Sequence, residues 1–148
     1  MDRERIANYL PLKAEGDLLR LQLEEIEAVL LYTAAQRLSK MPSAPSKDRA
    51  MERKANKHIA IAEHYKRLLK KTGEELAAIE KAIETLPPKE RICLRCRYIM
   101  GYSVEKTAEI VGVERRQVNN IKNSALDRLE RQERERKRNA DQKLHDKG

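Results

Sequence analysis

The fold of this chain is decided by residues 87–129, which read PPKERICLRCRYIMGYSVEKTAEIVGVERRQVNNIKNSALDRL. Two prolines stop any preceding helix, and Pro88 can open a new one because its missing N–H would be unpaired in a first turn. Gly101 breaks this helix. Ser103 is a suitable N-cap for a short second helix, which Gly112 ends by taking a left-handed backbone conformation. A third helix follows, so the stretch predicts a helix-turn-helix.

The third predicted helix has one apolar side and one polar side. Apolar residues recur every three or four positions, which is typical of a buried helix face: Val118, Ile121, Ala125 and Leu129. The polar side carries Arg and Asn, which can contact guanine and adenine edges in the major groove. The alternative, a merely solvated face, is disfavoured because Asn is a poor helix former. The residues that we predict to read bases are Arg115, Arg116, Asn119, Asn120 and Asn123.

Several segments of this stretch resemble region 4 of sigma-70-type factors. The segments are LPPKER at 86–91, LRCRY at 94–98, GYS at 101–103, AEIVGV at 108–113 and ALDRL at 125–129. The resemblance implies that the third helix docks on promoter DNA and that the preceding helices engage RNA polymerase. Glu114, Arg116 and Asn119 depart from the family pattern, which usually has Ser or Thr, Glu and Arg there. The docking mode is therefore implied, but the consensus −35 sequence is not.

Contacts outside the base-reading side are expected as well. Side chains predicted to contact DNA phosphates are Lys106, Gln117, Lys122 and Arg128. On the helix expected at 89–99, Arg91 and Arg95 are candidates for a contact with RNA polymerase or its sigma factor, and a role as solvated surface residues stays open for both.

Composition restricts the function further. The 148 residues carry a net charge of +8, and 38% of them are charged, whereas 3% are aromatic. These values favour long helices over a thick core and an anionic partner such as double-stranded DNA. We expect a cytoplasmic protein of a bacterial cell, since the sequence shows neither a signal peptide nor an apolar run of membrane length.

Neither an enzyme nor a cofactor is expected. The sequence has no phosphate-binding glycine loop and no set of Ser, His and Asp that could be placed together. Cys93 and Cys96 form a lone CxxC without a second ligand pair, so we interpret them as buried thiols and expect no metal site.

Residues 1–86 predict a long antiparallel helical hairpin, a coiled coil. The first helix extends from Asp2 to Lys40 with an interruption near Pro11 and Gly16, and a loop follows at 41–47. The second helix repeats its apolar seam in alternating steps of four and three, which is typical of a coiled coil: Met51, Ala55, His58, Ala62, Tyr65, Leu69, Thr72, Leu76, Ile79, Ile83 and Leu86. The predicted fold class is therefore all-α, with an association region at 1–86, a DNA-binding domain at 87–130 and a charged helical extension with a frayed tail at 131–148.

Three questions stay open at the level of sequence. The apolar seam does not specify its partner, so the hairpin forms either within one chain or between the chains of a homodimer. Basic residues early in the second helix either contact phosphate or are solvated. They are Lys47, Arg49, Arg53, Lys54, Lys57, Lys66, Arg67, Lys70 and Lys71.

The third question is the function itself. The layout resembles phage and prophage late-gene regulators of the RinA and ArpU type, which implies an activator that bridges promoter DNA and host RNA polymerase. The alternative is a DNA-packaging protein similar to a small terminase subunit. Such packaging proteins usually place the DNA-binding domain before the oligomerisation helices, and this chain has the reverse order, which favours the regulator.

Overall fold

A computed structural model describes residues 1–39 and 45–146 of the protein. These residues form helices and turns without any strand, which confirms the all-α fold class for this part of the chain. The helical segments are α1 (Arg3–Ala7), α2 (Tyr9–Ser39), α3 (Pro45–Glu84), α4 (Pro88–Leu94), a π-helical turn (Arg95–Ile99), α5 (Val104–Val111) and α6 (Arg115–Asp146).

The chain divides into two compact units, and the division crosses the predicted boundary at residue 86. One unit, here the terminal unit, contains Met1–Leu12 and Glu75–Gly148, and the other, here the hairpin unit, contains Lys13–Glu74. The physical reason is that the ends of the two long helices carry apolar side chains that pack with the helix-turn-helix. The predicted association region at 1–86 therefore contributes residues to both units.

The core of the terminal unit brings together residues that are far apart in sequence. Its buried members are Ile6, Tyr9, Ile79, Ile83, Leu86, Leu94, Ala125, Leu126 and Leu129. Full burial of one aliphatic side chain in such a core stabilises the folded state by about 1.5–3 kcal/mol. The short helix α1 thus shares a core with α4 and α6.

Polar contacts hold α1 and the first residue of α2 against the end of α3. The Arg5 guanidinium donates two hydrogen bonds to Glu75, at 2.7 and 2.8 Å. The Tyr9 hydroxyl donates to the Glu80 carboxylate at 2.5 Å, and burial together with this bond raises the pKa of Tyr9 to about 12. The phenol therefore keeps its proton, and with it this hydrogen bond, at a pH where an exposed tyrosine would ionise.

In the hairpin unit, α2 and α3 run antiparallel. Near the start of α2, a Cβ placed on Gly16 would lie 3.2 Å from the Thr72 methyl group, and farther along α2 the Glu27 carboxylate lies 3.7 Å from the Lys66 amine. Residues farther along α2 contact residues earlier in α3, so the two helices are antiparallel. Within this unit the predicted seam positions of α3 are buried or half-buried.

Three predicted helix boundaries differ from the observed ones. The break in the first long helix lies at Asn8, and Pro11 occupies the first turn of α2, where its missing N–H costs nothing. Pro45 opens α3 for the same reason, so residues 45–47 of the predicted loop are helical, and the rest of that loop lies outside the described residues. Residues 139–146, predicted to fray, continue α6 to Asp146.

Candidate DNA interface

Helices α4, α5 and α6 pack around a small apolar core. Cys93, Ala108 and Val118 are its buried members, and each comes from a different helix of the three. Half-buried side chains close the core around them: Val104, Val111, Val113 and Ile121. This packing fixes α6 with its buried side toward α4 and α5, and consequently fixes which side of α6 is free.

Helix α5 has the predicted caps at both of its ends. The Ser103 hydroxyl accepts a hydrogen bond from the Lys106 N–H at 3.2 Å, which satisfies a free donor at the start of α5. Gly112 has φ 80° and ψ 36°, a left-handed conformation that side chains disfavour. The N–H groups of Gly112 and Val113 both donate to the Ala108 carbonyl, which ends α5 and redirects the chain into α6.

The predicted base-reading residues lie together on the free side of α6. All five are exposed, and they occupy the first three turns of the helix: Arg115, Arg116, Asn119, Asn120 and Asn123. This exposed end of α6 has the arrangement that an HTH recognition helix uses to reach base edges in the major groove.

Two of these residues form ion pairs with carboxylates. The Arg115 guanidinium lies 3.1 Å from the Glu105 carboxylate, and that of Arg116 lies 3.0 Å from the Glu114 carboxylate. Exposed ion pairs of this kind stabilise the folded state by about 0–1 kcal/mol. Exchanging the carboxylate for another hydrogen-bond acceptor, such as a base edge, would therefore lose little free energy. The carboxylates therefore orient both guanidinium groups, which stay exposed to solvent.

The four predicted phosphate contacts have different surroundings. The Lys106 amine lies 3.9 Å from the centre of the Tyr102 ring, while Lys122 is half-buried. The Gln117 side chain accepts a hydrogen bond from the Glu114 N–H at 3.3 Å, which gives it a second role as a cap at the start of α6.

Arg128, the fourth predicted phosphate contact, is bound by an acidic residue that the sequence interpretation did not single out. Its Nε lies 2.9 Å from Glu90, whose carboxylate also accepts a hydrogen bond from the Ser124 hydroxyl at 3.2 Å. The Glu90 side chain is 12% exposed, so the pair is partly shielded from water. Arg128 is therefore engaged in joining α6 to α4 in the free protein.

The two candidate polymerase contacts lie on the helix that precedes the turn. Arg91 is half-buried on α4, and Arg95 is exposed, with its guanidinium 3.7 Å from the Glu84 carboxylate. After Arg95 the helix widens into a π-helical turn, in which the Met100 N–H donates to the Arg95 carbonyl at 2.9 Å. Helical spacing alone did not predict this turn.

Sequence analysis also missed Arg3. This residue on α1 forms an ion pair with Asp127, which lies on the exposed side of α6, and its Nε lies 3.1 Å from Glu130. A signal that could have indicated that this segment packs on a core is the three-residue spacing between Ile6 on α1 and Tyr9 at the start of α2. Arg3 neutralises acidic charge on the helix that we assign to base reading.

Cys93 and Cys96 are buried and unoxidised. Burial raises the pKa of both thiols, which is typical of inert structural cysteines. Across the described residues, no group of His, Cys, Asp and Glu side chains is arranged to hold a metal ion. Among the helices of residues 1–39 and 45–146, none has the length and hydropathy of a membrane span.

Comparison with known proteins identifies the domain. A family model described as sigma-70, region 4 matches residues 82–131, a range that begins in the last turn of α3 and ends in α6. No curated protein and no solved structure matches the chain. The C-terminal half of this chain therefore contains a sigma-70 region 4-like helix-turn-helix, which is a DNA-binding domain.

Proposed function

We propose that the protein is a sequence-specific transcription regulator that activates phage late genes by bridging promoter DNA and the host RNA polymerase. The observation that carries this proposal is the free side of α6, where Arg116, Asn119 and Asn120 are exposed in the first turns of a region 4-like recognition helix. Arginine and asparagine at these positions suit bidentate contacts to guanine and adenine.

The bridging role draws on the helix that precedes the turn. Arg95 is exposed there, and among the described side chains its ion pair is a 3.7 Å contact with Glu84, so its guanidinium is available to an acidic surface of the polymerase. In this mechanism α6 holds the promoter, the α4 side holds the polymerase, and the resident sigma factor opens the DNA.

Reconstituted transcription tests this function. Purified protein added to host holoenzyme should raise transcription from a phage late promoter, whereas protein added to core polymerase should give no initiation. Arg95→Gln should bind the promoter normally and lose activation, while Arg131→Gln, an exposed change farther along α6, should retain both. Initiation with core enzyme alone would contradict the bridging mechanism.

Native mass separates this function from DNA packaging. A regulator of this kind is expected as a monomer or homodimer, whereas a packaging protein forms a ring of about eight or more subunits. DNA binding without any effect on transcription, together with such a ring, would contradict the activator and favour the packaging function.

A further inference from the structure

The hairpin unit carries a one-sided row of positive charge on α3. Arginine and lysine side chains follow one another in steps of four, four, ten and four residues, so they share one side of the helix. We call this row the cationic stripe, and its members are Arg49, Arg53, Lys57, Arg67 and Lys71. All of them are exposed, and the exposed His64 lies in the same register.

Acidic side chains of α3 do not interrupt the stripe. Glu52 and Glu63 are the acidic residues whose side chains are described between Arg49 and Lys71, and at 100° per residue they lie roughly a quarter turn from the centre of the stripe. Five of the nine Lys and Arg side chains from Lys47 to Lys71 therefore share the side of the stripe, and the other four lie on other sides of the helix: Lys47, Lys54, Lys66 and Lys70.

The stripe cations also have no salt-bridge partner among the described side chains, as is true of Lys54 and Lys70 on other sides of α3. Among the described side chains, none of the five stripe cations lies within 4.0 Å of a carboxylate. Lys66, on another side of α3, is paired with Glu27, and Arg115 and Arg116 on α6 are paired with glutamates. The stripe is thus a concentration of positive charge that the described part of the protein leaves without salt-bridge partners.

We propose that the cationic stripe is a second DNA-binding surface, which contacts the phosphates of duplex DNA. This proposal rests on the proposed function in one respect, namely that the ligand is DNA. The stripe extends 22 residues from Arg49 to Lys71, or about 33 Å along the helix, which is close to one turn of B-DNA at about 34 Å.

The chemistry of the stripe favours duplex phosphate over other anionic partners. Single-stranded nucleic acid is usually bound with aromatic side chains on which bases stack, and the only aromatic ring among the stripe positions is that of His64. Protein interfaces depend on a buried apolar or aromatic centre, and the register of the stripe has charged side chains except at Ala60 and His64. Cations spread along about 33 Å of one side of α3 suit the phosphate backbone of a duplex, which is also the ligand proposed for the α6 side of the same chain.

Two charge-matched variants of the full chain test the proposal. The stripe variant combines Arg53→Gln, Lys57→Gln, Arg67→Gln and Lys71→Gln. The control variant combines Lys13→Gln, Arg20→Gln, Arg37→Gln and Lys70→Gln, exposed cations of the hairpin unit that lie off the stripe. Both remove four positive charges, and glutamine has a helix propensity close to that of lysine and arginine. Circular dichroism should show equal helix content.

The measurement is the affinity for a random-sequence duplex and for a selected site as a function of salt. Each phosphate contact contributes about 0.9 to the slope of log affinity against log salt, so the stripe variant should lose about 3–4 from the slope on both duplexes. Its affinity should fall at least about tenfold near 0.1 M salt, and its preference for the selected site should remain. The control should keep the slope.

Equal changes in the two variants would overturn the proposal, because net charge alone would then explain the effect. An unchanged slope in the stripe variant would also overturn it, and would leave an acidic protein as the occupant of the stripe. Neither result affects the proposed function, whose failure would appear separately as the absence of any site preference in the unmodified protein.

Discussion

The two units of this protein are built from the same long helices, yet they differ in how completely their apolar side chains are buried. In the terminal unit, Ile6, Ile79 and Ile83 are 0% exposed. In the hairpin unit, Leu31 is 73% exposed and Tyr32 is 66% exposed. A layer of several helices can enclose side chains that a two-helix pair leaves in water. The terminal unit therefore gives α6 a well-packed support, whereas most side chains of the hairpin unit are in contact with solvent.

The largest effect that separates the two units is expected from a charge placed in each. Ile83→Asp puts an unpaired carboxylate into the closed core of the terminal unit and should lower the free energy of unfolding by about 4 kcal/mol or more. Ile61→Asp, at a position 40% exposed in the hairpin unit, should cost about 1 kcal/mol or less. Chemical denaturation followed by circular dichroism measures both. Equal losses would contradict the difference in packing.

An intermediate effect is expected at alkaline pH. The pKa of Tyr9 is about 12 in the folded protein, above the value of 10.0 for an exposed tyrosine. Because the folded state resists loss of this proton, its stabilising contribution is complete below pH 10 and is lost as the pH rises from about 10 to 12. The expected slope is on the order of 1 kcal/mol per pH unit. Tyr9→Phe should reduce this slope in denaturation curves, and an identical slope would contradict the assignment.

A smaller effect is expected from the pair that joins α4 to α6. Glu90→Gln removes the negative charge that holds Arg128, which should lower the free energy of unfolding by about 1 kcal/mol or less. The released guanidinium should then strengthen binding to DNA of any sequence and steepen its salt dependence. Glu109→Gln, at an exposed position on α5, serves as the charge-matched control. Weaker binding by Glu90→Gln would indicate that Arg128 acts only as a structural residue.

The elements that could be predicted from the sequence are those specified by local chemistry. The cap at Ser103, the left-handed Gly112 and the buried side of α6 each follow from residues within a few positions of one another. Helical periodicity also predicted the exposure of Asn120 and its neighbours on α6.

The elements that could not be predicted depend on distant parts of the chain. The pair between Arg3 and Asp127 joins residues 124 positions apart, and an apolar seam carries no information about which helix will cover it. For the same reason the sequence placed Ile79 and Ile83 in a hairpin seam, whereas they belong to the core beneath α6. The engagement of Arg128 by Glu90 likewise required the packing of α4 on α6.

The central claim is that the exposed side of α6 reads base sequence. It is tested most directly by selecting preferred sites from random duplexes with the unmodified protein, with Arg116→Ala and with Lys137→Ala, an exposed control in the α6 extension. The unmodified protein and the control should select the same site. Arg116→Ala should lose discrimination at one or two base pairs, worth about 1–3 kcal/mol, and keep the preference elsewhere. Selection of an identical site by all three proteins would contradict the claim.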